Sequence, residues 1–286
     1  MNKDAVSRSK KRSTLSFFLY LCVTFAALCT VFLSVTANPN TFIKEFTNPS
    51  YVANVKDDIS QYTRDLCLEN SVPDDFIDAA ITYDKIYNIE NAYIYGELGS
   101  SQEFTTESYT GLLSRFKDDV SASVNDMVNS QGIEIEKSVK DTAVDTFAQQ
   151  ITDYTAKAIR FGYIRQLKSF CDLSKTVCSI IVTACLIASI GLVIAIFSGT
   201  SRKYRATRSL AYAFSSASVM NLIVAVAIYI VKTTKKLVIY PTYLVDVFLR
   251  WVDDSLNSVL TCAGILAIIF VAFACVTLKM KRDSQR

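Results

Sequence analysis

An all-α membrane protein, with four transmembrane helices and an extracytoplasmic helical bundle between helices 1 and 2, is the fold class this sequence predicts. Three observations carry that expectation. In a chain of 286 residues, the stretches 15–37, 176–201, 209–231 and 255–278 contain no Asp, Glu, Lys or Arg. Each exceeds the ~20 apolar residues that cross a bilayer. Lys and Arg gather in the short pieces beside them, and the long polar segment 38–175 repeats its apolar residues at helical spacing.

The basic pieces set an orientation. Residues 1–14 carry five Lys/Arg against one acid, the link 202–208 (RKYRATR) carries four and no acid, and 279–286 carries four against one. Short loops rich in Lys/Arg stay cytoplasmic. The segment 38–175, with 13 Lys/Arg against 22 Asp/Glu, and the link 232–254 then lie outside. The expected order is a basic N-terminus 1–14, TM1 15–37, an extracytoplasmic helical domain 38–175, TM2 176–199, and a basic link 200–208. TM3 209–231, an outer link 232–254, TM4 255–278 and a basic tail 279–286 complete it. A multi-pass plasma-membrane protein with both termini cytoplasmic follows.

The first span has two readings. Val35-Thr36-Ala37 fits a secretory cleavage site, whereas the charge-free run is longer than the roughly 7–15 residues of a signal core, as a retained anchor would be.

In the outer segment, Asn48-Pro49 caps a helix whose Val52, Val55, Ile59, Tyr62 and Leu66 form one stripe. Val72-Pro73 interrupts it, and PDDFIDAAI restarts with acids in the first turn. TYDKIYNIENAYIYGEL, rich in Tyr and Ile, suits helix or strand, and Gly96 and Gly99 mark a loop after it. Tyr109, Leu113, Phe116, Val120, Val124 and Met127 are in register on a further helix, with Gly132 as its stop. Val144, Phe147, Ile151, Tyr154, Ala158 and Phe161 make a heptad-like seam. With no proline between that seam and TM2, one helix is expected from about 137 through 199, including a stalk of about 60 Å.

Candidate chemistry is sparse. The absence of histidine excludes His-based triads and His-ligated metals. Six of eight cysteines fall in the spans, where Cys behaves as a small apolar residue. Cys67 and Cys171 lie outside and could form a disulfide. Asp57-Asp58, Asp74-Asp75 and Asp118-Asp119 lack the spacing of a calcium loop and suit solvated helix faces. No catalytic residue, metal or cofactor is expected. The spans contain no ionisable group of the kind that pumps place at depth.

Small residues in TM2 (Ala184, Ala188, Gly191, Ala195, Ser198) and TM3 (Ala211, Ser215, Ser218, Ala225) form stripes expected to pack on each other across their short link. Asn221 is the most polar deep residue, suited to an interhelical hydrogen bond. After Pro241, Leu244, Val247, Phe248 and Trp251 give an amphipathic helix suited to the headgroup plane or to docking under the outer bundle.

Residues 38–59, NPNTFIKEFTNPSYVANVKDDI, follow a basic start and first span with an Asn-Pro turn and helix. In this layout the chain resembles uncharacterised four-span membrane proteins of low-GC Gram-positive bacteria. Its topology is also similar to permease subunits of the FtsX and MacB class. The expected function is a non-enzymatic membrane protein whose acidic helical ectodomain binds a membrane or extracellular protein in an envelope-associated or sensory-accessory role. The alternative is a transport-associated subunit relaying motion to a cytoplasmic motor. The lipid bilayer is a partner in either case, and nucleic acid is not.

Overall fold

Charge-free sequence becomes long helix. The structure, a computed structural model, describes residues 3–99, 108–130, 136–200, 203–234 and 241–284, among which there is no strand. Its helices are α1 (Lys3–Val31), α2 (Pro39–Phe46), α3 (Pro49–Glu69), α4 (Ile77–Ala80) and α5 (Tyr83–Leu98). They continue with α6 (Tyr109–Ser130), α7 (Lys137–Ile159), α8 (Ile164–Ser198), α9 (Lys203–Thr234) and α10 (Tyr243–Asp283). Four helical stretches, containing α1, α8, α9 and α10, are long and apolar enough to cross a membrane. The chain divides into two compact units: an apolar one of Met1–Asn38, Phe170–Leu237 and Leu249–Arg286, and a polar one of Pro39–Ser169 and Val238–Phe248.

In the apolar unit α1 ends in a π-helical turn, Phe32–Thr36, where the Ala37 amide donates to the Phe32 carbonyl at 2.8 Å. Such a turn inserts an extra residue per bond ring and redirects the chain. The most extensive helix pairing is that of α1 with α9. Ala206, Leu210, Ala213, Ala217, Asn221 and Ala225 are buried at three- and four-residue steps along α9. Small side chains there let the backbones approach. Polar bonds tie the same helices: Ser16 Oγ donates to the Ser209 carbonyl at 3.0 Å, and Ser218 Oγ to the Ala263 carbonyl of α10 at 2.9 Å. Phe214 and Phe273 stack with centroids 5.5 Å apart. On α8, Ile180, Ile187, Ile190 and Ile194 are exposed, as expected of a face turned to hydrocarbon.

The polar unit is built as its apolar stripes require. Asn48 caps α3, its Oδ1 accepting from the Ser50 amide at 3.0 Å, with Pro49 as the first helical residue. Val52, Val55 and Ile59 are wholly buried, and Tyr62 stacks on Tyr154 of α7 with centroids 3.7 Å apart. The Tyr154 hydroxyl donates to Asp58 at 3.2 Å, which gives that acid a structural use. Phe116, Val120, Val124 and Met127 of α6 face inward, as do Val144, Phe147 and Ile151 of α7. Surface ion pairs join neighbours: Lys85 of α5 to Asp119 of α6 at 2.8 Å, and Lys117 of α6 to Asp145 of α7 at 2.7 Å.

Four expectations change. TYDKIYNIENAYIYGEL is helix: Thr82 caps α5, and Gly96 lies within it while Gly99 ends it. PDDFIDAAI gives a single turn, α4, with only Asp78 in it; Asp74 and Asp75 precede it. The continuous 137–199 helix does not form, because α7 stops at Ile159 and α8 begins at Ile164. Phe161, in the break, packs on Phe46 and Phe248 instead of continuing a helical stripe. The outer amphipathic helix is not separate from TM4, since α10 runs unbroken from Tyr243 to Asp283. Gly132 lies outside the described residues.

Candidate functional site

α5 is buried on several sides at once, because α2, α3 and α6 all pack against it. A single apolar stripe cannot line so wide a contact, so polar side chains enter the core with Ile86, Ile89 and Ile94. Glu90 is one of them. It is 0% exposed, and neither carboxyl oxygen has a hydrogen-bond partner. Burial holds its carboxyl well above the ordinary carboxylate range. The phenol of Tyr51 is likewise pushed well up, by burial first and by Glu90 second. Glu90 is therefore an acid closed to solvent whose burial favours the protonated form, placed to affect the stability of the unit.

An aromatic cluster lies in the same unit. Phe46 meets Tyr51 edge-on at 5.5 Å and Phe161 at 5.6 Å; Tyr51 meets Tyr243 at 5.4 Å, and Phe161 meets Phe248 at 6.2 Å. It gathers α2, α3, the α7–α8 break and the first turns of α10. Of the proposed interfacial residues, Leu244 and Val247 are buried and Phe248 joins this cluster, so docking in the helical unit accounts for them. Trp251 is half-buried in the apolar unit.

The polar unit carries a groove of about 630 Å³ between the end of α3 and the start of α7, lined by Asn70, Val139, Thr142, Thr146 and Gln150 among others. Val139 is 55% exposed there, and Leu68, two residues before Asn70, is 79% exposed. A concave polar wall with exposed apolar residues can hold a partner's side chains. Among the described residues no three His, Cys, Asp or Glu side chains come together to hold a metal ion.

The two small-residue stripes do not meet as expected. Ala184, Ala188, Gly191 and Ser198 of α8 are exposed, Ala195 is half-buried, and nothing approaches the position of a Cβ on Gly191. Instead α8 uses Ile196, with Leu192 and Val193, to reach Leu19, Ala206, Leu210 and Ala213. On α9, Ala211 and Asn221 are buried and Ser215 and Ser218 half-buried, with α1 and α10 as neighbours. Packing of α8 on α9 centres on Ala206, Leu210 and Ala213, where α1 contributes Leu15, Leu19 and Val23; α1 meets α9 again further on, with Val31 beside Ala225. Asn221 Nδ2 donates to the Ala217 carbonyl of its own helix at 2.9 Å, not across helices, and its Oδ1 has no partner.

Cys67 and Cys171 are buried free thiols. Burial, with Asp74 adding to it, pushes the Cys67 thiol up to about 11, so it is a poor nucleophile at neutral pH. Sequence reasoning missed a different pairing. The thiol of Cys22 neighbours that of Cys185, and the thiol of Cys29 neighbours that of Cys178. The signal was available: each helix spaces its two cysteines seven residues apart, so antiparallel helices align both pairs at once. Comparison of the chain with protein-family models, curated proteins and solved structures finds no match.

Proposed function

We propose that the chain is a non-enzymatic integral membrane protein whose acidic helical unit, extracytoplasmic and held at the plasma membrane, binds a membrane or extracellular protein in an envelope-associated or sensory-accessory role. The observation that carries this reading is the groove beside α7, where exposed Val139 lies in a segment with 22 acids and 13 basic residues. That surface suits a partner with an apolar anchor inside a basic rim, and long-range attraction would steer its approach.

The test is photo-cross-linking in intact cells, with the reactive group at Val139 or Leu68 and a control at Arg115, on the exposed face of α6. The expected result is one stoichiometric protein adduct from Val139 in the groove and from Leu68 near it, absent from the control and weakened by rising salt. Lipid adducts alone, or the same adducts from Arg115, would refute it. Equimolar recovery of a cytoplasmic ATPase in place of a surface protein would favour the transport-associated reading.

A further inference from the structure

In the apolar unit, α1, α9 and α10 enclose a second cavity, of about 870 Å³. Three of its lining residues are cations, Arg205 and Arg208 from α9 and Lys281 from α10, and none is a carboxylate. This is unusual balance for a cleft in a chain with 27 acids. The guanidinium of Arg208 lies over the ring of Tyr212 at 5.4 Å, and that of Arg205 over Tyr204 at 5.9 Å. The Arg205 Nε–H also donates to the Tyr204 hydroxyl at 3.3 Å. Aromatic contacts of this kind fix where a guanidinium sits while leaving its charge unneutralised. Ser13 and Ser16 of α1 add hydroxyls to the wall.

The level of the cavity along the helices identifies its ligand. Arg208 immediately precedes the charge-free run 209–231, and Lys281 lies just past the end of 255–278. With a helical rise of about 1.5 Å per residue, all three cations fall within a few residues of where the apolar stretches stop. That is headgroup depth in a bilayer. The wall facing the apolar side carries Phe17, Tyr212 and Leu278, which are 55%, 55% and 68% exposed. A cavity with positive charge at one end and exposed hydrocarbon-compatible side chains at the other matches an amphiphile, not a free anion.

We infer that this cavity is a binding site for the headgroup phosphate of an anionic phospholipid, with Arg205, Arg208 and Lys281 as its cationic contacts. The inference stands independently of the proposed partner-binding surface. Basic clefts between spanning helices on the cytoplasmic side take such headgroups. Each basic residue at a membrane surface gives about a fivefold preference for anionic over neutral lipid, so three give roughly 100-fold.

The experiment uses the full chain in mild detergent, titrated with phosphatidylglycerol, phosphatidylcholine or soluble glycerol 3-phosphate, with bound species counted by native mass spectrometry. The expected result is one phosphatidylglycerol retained with roughly 100-fold preference over phosphatidylcholine, and no displacement by glycerol 3-phosphate. Changing Arg205, Arg208 and Lys281 together to Gln should abolish the preference. Changing Lys279 and Arg282 to Gln, which removes charge from the same end but outside the lining, should preserve most of it. Equal retention of the two lipids by the unaltered protein overturns the inference, and that arm does not depend on any variant folding. Displacement of phosphatidylglycerol by glycerol 3-phosphate overturns it in favour of a soluble organophosphate. An undiminished preference in the triple variant, with helicity intact, overturns the assignment of the three residues.

Discussion

Phe46→Ala should destabilise the polar helical unit by about 3–5 kcal/mol, the range for removing a buried aromatic side chain. Phe46 is 1% exposed and is the ring that joins two branches of the aromatic cluster, Tyr51 with Tyr243 and Phe161 with Phe248. Its loss opens a cavity and removes two ring contacts, each worth about 0.5–1.5 kcal/mol beyond burial. Neighbours cannot easily fill the space, since Phe42, Tyr51 and Ile59 around the same core are themselves fully buried. Proteolysis across a urea series should show cleavage of the unit at much lower denaturant than in the parent protein. Leu68→Ala, at a position 79% exposed, should move the curve by no more than about 0.5 kcal/mol. Equal effects from the two changes would mean that the cluster is not the core of this unit.

Glu90→Met should do the opposite and stabilise the unit. An unpartnered buried polar group costs about 1–3 kcal/mol, and an apolar side chain of similar length removes that cost. The gain should depend on pH. Burial raises the folded-state pKa of Glu90 above its unfolded value. The stability associated with its proton is then fully present below the unfolded value and is lost as pH rises through the folded one. The parent protein should therefore be more resistant to urea at mildly acidic pH than at pH 7 and above, and Glu90→Met should flatten that slope. The groups coupled to Glu90, Tyr51 and Tyr83, both have phenols raised above their ordinary value, so they stay neutral through this range. A slope unchanged by Glu90→Met would show that other groups set the pH dependence.

What could be read from the sequence was what depends on one element at a time. The charge-free runs locate the membrane-length helices because lipid excludes unpaired charge along a whole stretch. Asn48-Pro49 marks a helix start because its capping is local, and the stripes of α3 and α6 mark faces because each helix has one main buried side. What failed depends on several elements together. The Tyr and Ile of α5 suit helix and strand equally, and only burial among α2, α3 and α6 decides it. The break after Ile159 has Gly162 as its sole local mark; packing of Phe161 into the aromatic cluster supplies the rest. The small-residue stripes were paired by closeness in sequence, yet α9 finds its longest contact on α1, the most distant span before it. The cationic cavity was visible only as basic pieces flanking spans; its closure by α1, α9 and α10 needed the packing.

The most direct measurement is labelling of single cysteines, on a cysteine-free background, by a membrane-impermeant thiol reagent in intact cells. Four spans with the polar unit outside require that cysteines at Ser100 and Lys235 label, while those at Ser9, Arg205 and Ser284 label only after the membrane is opened. Labelling of the Arg205 position in intact cells would contradict the four-span arrangement.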